Sequence, residues 1–66
     1  MKLNEVKVGL WISDENGIYQ IISGYDSFHK WYVCKEVLDL DESGNHTLSK
    51  DNIYLTTDEM EKCIVL

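Results

Sequence analysis

The chain contains no alanine, no proline and no arginine, and only two cysteines. Each absence closes a class of answers. Alanine is the strongest helix former and small enough for close helix packing, so a fold without it is not expected to be mainly helical. Arginine supplies the rigid fork used on phosphates and guanine edges. Lacking it, and carrying a formal net charge of −6, the chain is not expected to contact nucleic acid directly. Cys34 and Cys63 are too far apart for a CxxC pair, and with His29 and His46 they do not make a metal-ligand spacing. No metal and no cofactor is therefore expected, and both thiols read as reduced, buried small hydrophobes. No run approaches the roughly 18 apolar residues that span a bilayer. Met1–Glu5 has no signal-peptide pattern. These features predict a soluble, cytoplasmic protein without membrane contact.

The 66 residues amount to one domain, 1–66, with no linker, repeat or low-complexity segment. A chain this short buries only about 60% of the surface its unfolded form exposes, which argues against a deep enclosed pocket. The hydrophobic pattern has period two. In residues 6–12, Val6, Val8, Leu10 and Ile12 fall on one side of a predicted first strand and Trp11 on the other. Asn16-Gly17 suits a tight hairpin connection, since both residues accept positive φ. A second strand follows over 18–22, then a polar loop over 23–30 and a long third strand over 31–40. Residues 41–45 form a second turn signal. Residues 46–55 return as one bent strand or two. Thr56 and Glu59 have capping-box spacing ahead of a helical turn over 58–62, and the apolar Cys63–Leu66 reads as a short final strand.

This element order, five strands with two tight turns and one helical turn before the last strand, resembles the SH3-like small β-barrel. The resemblance covers about Val6 to Leu66 and implies an all-β, five-stranded barrel; an OB-like barrel is the alternative. The Ala-Leu-Tyr-Asp-Tyr run and Pro-Tyr pair of peptide-binding SH3 domains are missing, so recognition of proline-rich peptides is not implied.

Charge and aromatics are unevenly placed. Residues 1–35 are neutral, with four lysines against four acids, whereas residues 36–61 hold eight acids against Lys50 alone. Such an acidic pole can steer a protein to a basic surface, or simply keep it soluble. Asp39, Asp41, Glu42, Asp58, Glu59 and Glu61 are its candidate binding residues. Five of the seven aromatics (Tyr19, Tyr25, Phe28, Trp31 and Tyr32) lie within residues 19–32. Trp31 and Tyr32 point to opposite faces of a regular strand. Tyr25, Phe28, Trp31 and Tyr32 are the candidate apolar anchors of an interface.

Catalysis is not expected. Ser13, Ser23, Ser27, Ser43 and Ser49 lack a nucleophile-elbow context, no Gly-rich phosphate cradle occurs, and Asp39/Asp41 read as a solvated strand edge. The leading expectation is a protein-interaction module that is a monomer or weak homodimer. Its partner is a basic surface on a larger protein, in the manner of the small acidic chains of bacteria and phages that it resembles in type. One alternative is an acidic DNA mimic of the anti-restriction or anti-CRISPR kind, with Asp51 added to the acidic set. Another is a homo-oligomer built by pairing the edge strand near Cys63–Leu66.

Overall fold

Period-two alternation condenses into five strands in the computed structural model, which describes residues Met1–Leu66: β1 (Trp11–Ser13), β2 (Tyr19–Asp26), β3 (Trp31–Leu38), β4 (Thr47–Thr56) and β5 (Ile64–Val65). Every pairing is antiparallel and the strand order is β4-β3-β2-β1-β5. The protein is mainly β, as its lack of alanine predicts. The sheet is not closed, however. β4 and β5 are its two edges and do not pair, so the barrel expected from the sequence stops short of closure. Element length accounts for this. β1 has three residues and β5 two, too few to carry the ladder around.

Two departures from regular alternation decide which side chains share a face. Residues 6–12 do not form one strand. Leu10 N–H donates to the Lys7 carbonyl at 3.2 Å and Gly9 takes φ 91°, so the chain turns at Val8-Gly9 and the strand begins only at Trp11. Val8, expected in the core, is 70% exposed. In β2 the register shifts between Ile22 and Gly24, leaving Ser23 as a bulge whose hydroxyl donates to the Val33 carbonyl at 3.0 Å. The bulge lets β2 run on to Asp26, through part of the predicted loop. A second shift, between Lys35 and Val37, faces Ser49–Asp51 in β4. β4 is accordingly one strand bent at a bulge, which settles the question left open for 46–55.

The register defines the two faces. Ile12–Gln20–Glu36, Ile22–Cys34–Ile53 and Tyr25–Tyr32–Leu55 form rows on the core side. Trp11–Ile21–Lys35–Asn52, Gly24–Val33–Tyr54 and Asp26–Trp31–Thr56 form rows on the opposite side. The core is Ile12, Ile22, Cys34, Leu55, Met60 and Cys63, with Met1, Leu3, Val6, Leu10, Tyr32 and Ile53 packed around it. Each such aliphatic side chain contributes about 1.5–3 kcal/mol when fully buried.

The helix α1 (Thr57–Glu61) covers this core by inserting Met60. Its start is the predicted capping box. The Thr56 hydroxyl accepts from Glu59 N–H at 3.2 Å, and the Glu59 carboxylate accepts from Thr56 N–H at 3.0 Å. At its far end the Met1 ammonium donates to the carbonyl of Glu61, which a helix terminus otherwise leaves unpaired, and to that of Cys63 just beyond the helix. Thr56→Ala removes one half of the box and is expected to cost about 1 kcal/mol, read as a lowered urea midpoint with unchanged slope.

Candidate functional site

The turn after β2 builds an aromatic face. Asp26 Oδ1 accepts from the backbone N–H of Phe28 at 2.9 Å and of His29 at 3.2 Å, while its Oδ2 meets His29 Nδ1 at 2.7 Å. The hydrogen bond from the His29 ring is the main reason the Asp26 carboxyl lies below its ordinary pKa of 3.8. Lys30, at φ 59°, closes the turn in the left-handed region, with its N–H donating to the Asp26 carbonyl at 2.8 Å. This geometry leaves Phe28 86% exposed. It also lays the His29 ring flat on Trp31, with centroids 4.4 Å apart and planes 7° from parallel. Phe28 meets His29 edge-on at 4.9 Å, and Trp31 meets Tyr54 at 5.0 Å. Four rings thus form a continuous row, Phe28–His29–Trp31–Tyr54, on the face away from the core. The Trp31 Nε1–H is buried within it and has no acceptor.

The predicted aromatic set is divided between the faces. Phe28 and Trp31 join the outer row. Tyr25 and Tyr32 pair with each other on the core side, 4.8 Å apart, and with Val6, Val8 and Ile22 line a shallow apolar depression of about 130 Å³. His29 and Tyr54 belong to the outer row and were not predicted. Tyr54 is far away in sequence, and only the β3–β4 register brings it beside Val33. Trp11, on the same face, is covered edge-on by His46 at 4.7 Å.

The predicted acidic set is also divided. Asp39, Asp41 and Glu42 sit at the β3–β4 turn, whereas Asp58, Glu59 and Glu61 sit on α1, at the other end of β4. The ten residues of β4, bent at its bulge, lie between the two groups. Several of these acids have structural work. Asp41 accepts from Ser43 N–H and Asn45 N–H, both at 2.9 Å, and from the Asn45 side chain at 3.1 Å. Asp39, at φ 52°, accepts from the Thr47 hydroxyl at 3.3 Å. Glu59 caps α1.

Hydrogen bonds from Asn45, and then from Ser43, hold the Asp41 carboxyl below its ordinary 3.8. A depressed carboxyl stabilises the fold above its unfolded-state pKa, and that contribution is lost as pH falls through the lower, folded value. The Ser43 and Asn45 amide resonances are therefore expected to hold position above about pH 4 and to move toward random-coil values only below it, by NMR titration.

Cys34 and Cys63 are buried free thiols, as expected. Burial, with Cys63 adding to it, pushes Cys34 up to about 12, and burial likewise raises Cys63. Burial thus disfavours the thiolate form of both. No group of three or more His, Cys, Asp or Glu side chains is placed to hold a metal ion, and no helix is long and apolar enough to cross a membrane.

A second concavity shares only Glu59 with the predicted sets. The β1–β2 turn faces β4 and the start of α1 across a cleft of about 280 Å³ lined by Asp14, Glu15, Ile18, Tyr54, Leu55 and Glu59, among others. Tyr54 thus belongs both to this cleft and to the aromatic row. Asp14 organises the turn. Its Oδ1 accepts from Asn16 N–H at 2.9 Å and Ile18 N–H at 3.0 Å, and its Oδ2 accepts from the Gln20 side-chain amide at 2.6 Å. Comparison of the chain with family models, with curated proteins and with solved structures gives no match in any of the three.

Proposed function

We propose that the chain is a non-catalytic protein-interaction module, an SH3-like small-barrel plan whose outer aromatic row docks a basic surface of a larger cytoplasmic protein. The strand order with a helical turn between the fourth and fifth strands supports the SH3-like assignment. The observation that carries the functional reading is the row itself. A phenylalanine that is 86% exposed leads through His29 to Trp31 and to a half-exposed Tyr54. Rigid aromatics of this kind are the usual anchors of interfaces, and their π faces attract cationic side chains. The unpaired Trp31 Nε1–H adds a demand for an acceptor, such as a partner's backbone carbonyl. A formal charge of −6 selects basic partners over acidic ones at long range.

The test is capture of cytoplasmic proteins on immobilised wild type and on Phe28→Ala/Tyr54→Ala. Both side chains are exposed, so the double variant is expected to fold normally while losing tenfold or more of its affinity for whatever the wild type retains, about 1.4 kcal/mol or more. Retention is also expected to weaken as salt rises. Capture that is the same for both proteins overturns the reading.

A further inference from the structure

The β1–β2 turn carries a reactive pair of residues. Of the four asparagines in the chain, Asn4, Asn45 and Asn52 precede Glu5, His46 and Ile53, and Asn16 alone precedes a glycine. The side chain of a following residue shields its own backbone nitrogen, and glycine has none. Position adds to this. Asn16 and Gly17 are both exposed, and a Cβ at Gly17 would meet nothing within 4 Å, so there is room for a ring to close between the two residues. Asn45 and Asn52 tie their side-chain amides to the Asp41 carboxylate and the Tyr54 hydroxyl, at 3.1 and 3.4 Å. Asn16 bonds through its backbone only, donating its N–H to Asp14 Oδ1 at 2.9 Å.

We propose that Asn16 is a site of spontaneous deamidation, with water as the only co-reactant, and that the rearranged product loosens the β1–β2 turn. The Gly17 nitrogen, its proton lost to hydroxide, attacks Asn16 Cγ. A nitrogen–carbon bond forms, the bond from Cγ to Nδ2 breaks, and Nδ2 leaves as ammonia after taking a proton from water. Water then opens the resulting succinimide. Addition at Cγ leaves aspartate, whereas addition at the Asn16 main-chain carbonyl carbon leaves isoaspartate, whose backbone runs through Cβ and Cγ. Nothing is oxidised or reduced. The fold slows the first step, because the Gly17 N–H donates to the Asp14 carbonyl at 3.0 Å and must be released. It also sets the consequence. Asp14 Oδ1 accepts from both Asn16 N–H and Ile18 N–H, and an extra backbone carbon between those nitrogens spreads the two donors apart. Both products add a negative charge beside Asp14 and Glu15, so only the isoaspartate form changes the backbone.

The full chain is held folded in mildly alkaline buffer at physiological temperature, sampled over time and digested with trypsin. Cleavage after Lys7 and Lys30 yields a peptide whose sole asparagine is Asn16. That peptide is expected to split into two products of equal mass, aspartate and isoaspartate, at least about tenfold faster than any change at Asn45 or Asn52, a barrier difference of roughly 1.4 kcal/mol. In concentrated urea, where the turn is open, the conversion is expected to run about fivefold faster still, equivalent to about 1 kcal/mol, the net worth of one hydrogen bond. Asn16→Gln, which would have to close a larger ring, is expected to keep the fold and to form no product in that time. Asn16→Asp supplies the charge without the extra backbone carbon and is expected to keep the wild-type urea midpoint. The isoaspartate form, separated by reversed-phase chromatography and refolded, is expected to unfold at lower urea and to exchange the Ile18 amide faster. Conversion spread evenly over the asparagines, an Asn16 that stays intact in the folded chain while the unfolded chain converts it, or an isoaspartate form as stable as Asn16→Asp would each overturn the proposal.

Discussion

Replacing Ile12 with alanine is expected to leave much of the population unfolded in mild denaturant. Ile12 is fully buried at the centre of β1, between Gln20 of β2 and Val65 of β5, and it packs in the one hydrophobic cluster of the molecule. Truncating a buried isoleucine costs about 2–5 kcal/mol through lost transfer energy and the cavity left behind. A chain of this size has a total of roughly 3–10 kcal/mol to lose. The loss also reaches the edge, since β5 is attached only through β1. Val8→Ala is the matched comparison. Simple alternation puts Val8 on the same buried face as Ile12, yet it is 70% exposed and is expected to cost no more than about 0.5 kcal/mol. Urea unfolding of the two variants separates these expectations. Equal costs would mean that the strand continues through Gly9 and that the Val8-Gly9 turn is wrong.

That contrast shows what could be read in the sequence and what could not. Signals contained within four or five residues carry over into the structure. Asn16-Gly17 lies in the β1–β2 turn with Gly17 at φ 79°, Thr56 and Glu59 cap α1, and Cys63–Leu66 leads into the last strand. Trp31 and Tyr32 face opposite sides, as strand geometry requires. What fails is what depends on register. A bulge at Ser23 changes which face Tyr25 takes, and no local residue pattern announces it, because Ser23 and Gly24 also suit an ordinary loop. The acidic surplus fails as a single face for a related reason. Its two clusters are neighbours in a residue count but are held at opposite ends of a ten-residue strand. The cleft was invisible because its walls come from residues about 40 positions apart, and only the fold brings Asp14 to Leu55 and Glu59.

Removing the Asp14 carboxylate is expected to be nearly as damaging as the core truncation, although the residue is only partly buried. Two of its hydrogen bonds go to the backbone N–H groups of Asn16 and Ile18 and set the β1–β2 turn, and the third holds the amide of Gln20. Hydrogen bonds to a charged acceptor contribute about 1.5–3 kcal/mol each, and stranding a buried donor adds a desolvation cost. Asp14→Ala leaves Gln20 fully buried with neither end of its amide satisfied. Its expected cost is about 3 kcal/mol in urea unfolding. Gln20→Leu fills nearly the same volume without polar atoms, so in the double variant the stranded amide disappears. The Asp14→Ala/Gln20→Leu protein is therefore expected to recover about 1–2 kcal/mol relative to Asp14→Ala alone, a coupling that a double-mutant cycle reads directly. If the two substitutions are simply additive, the damage comes from the turn alone. Gln20 is then indifferent to Asp14, and the buried amide behind the cleft plays no part in how the turn is held against β4.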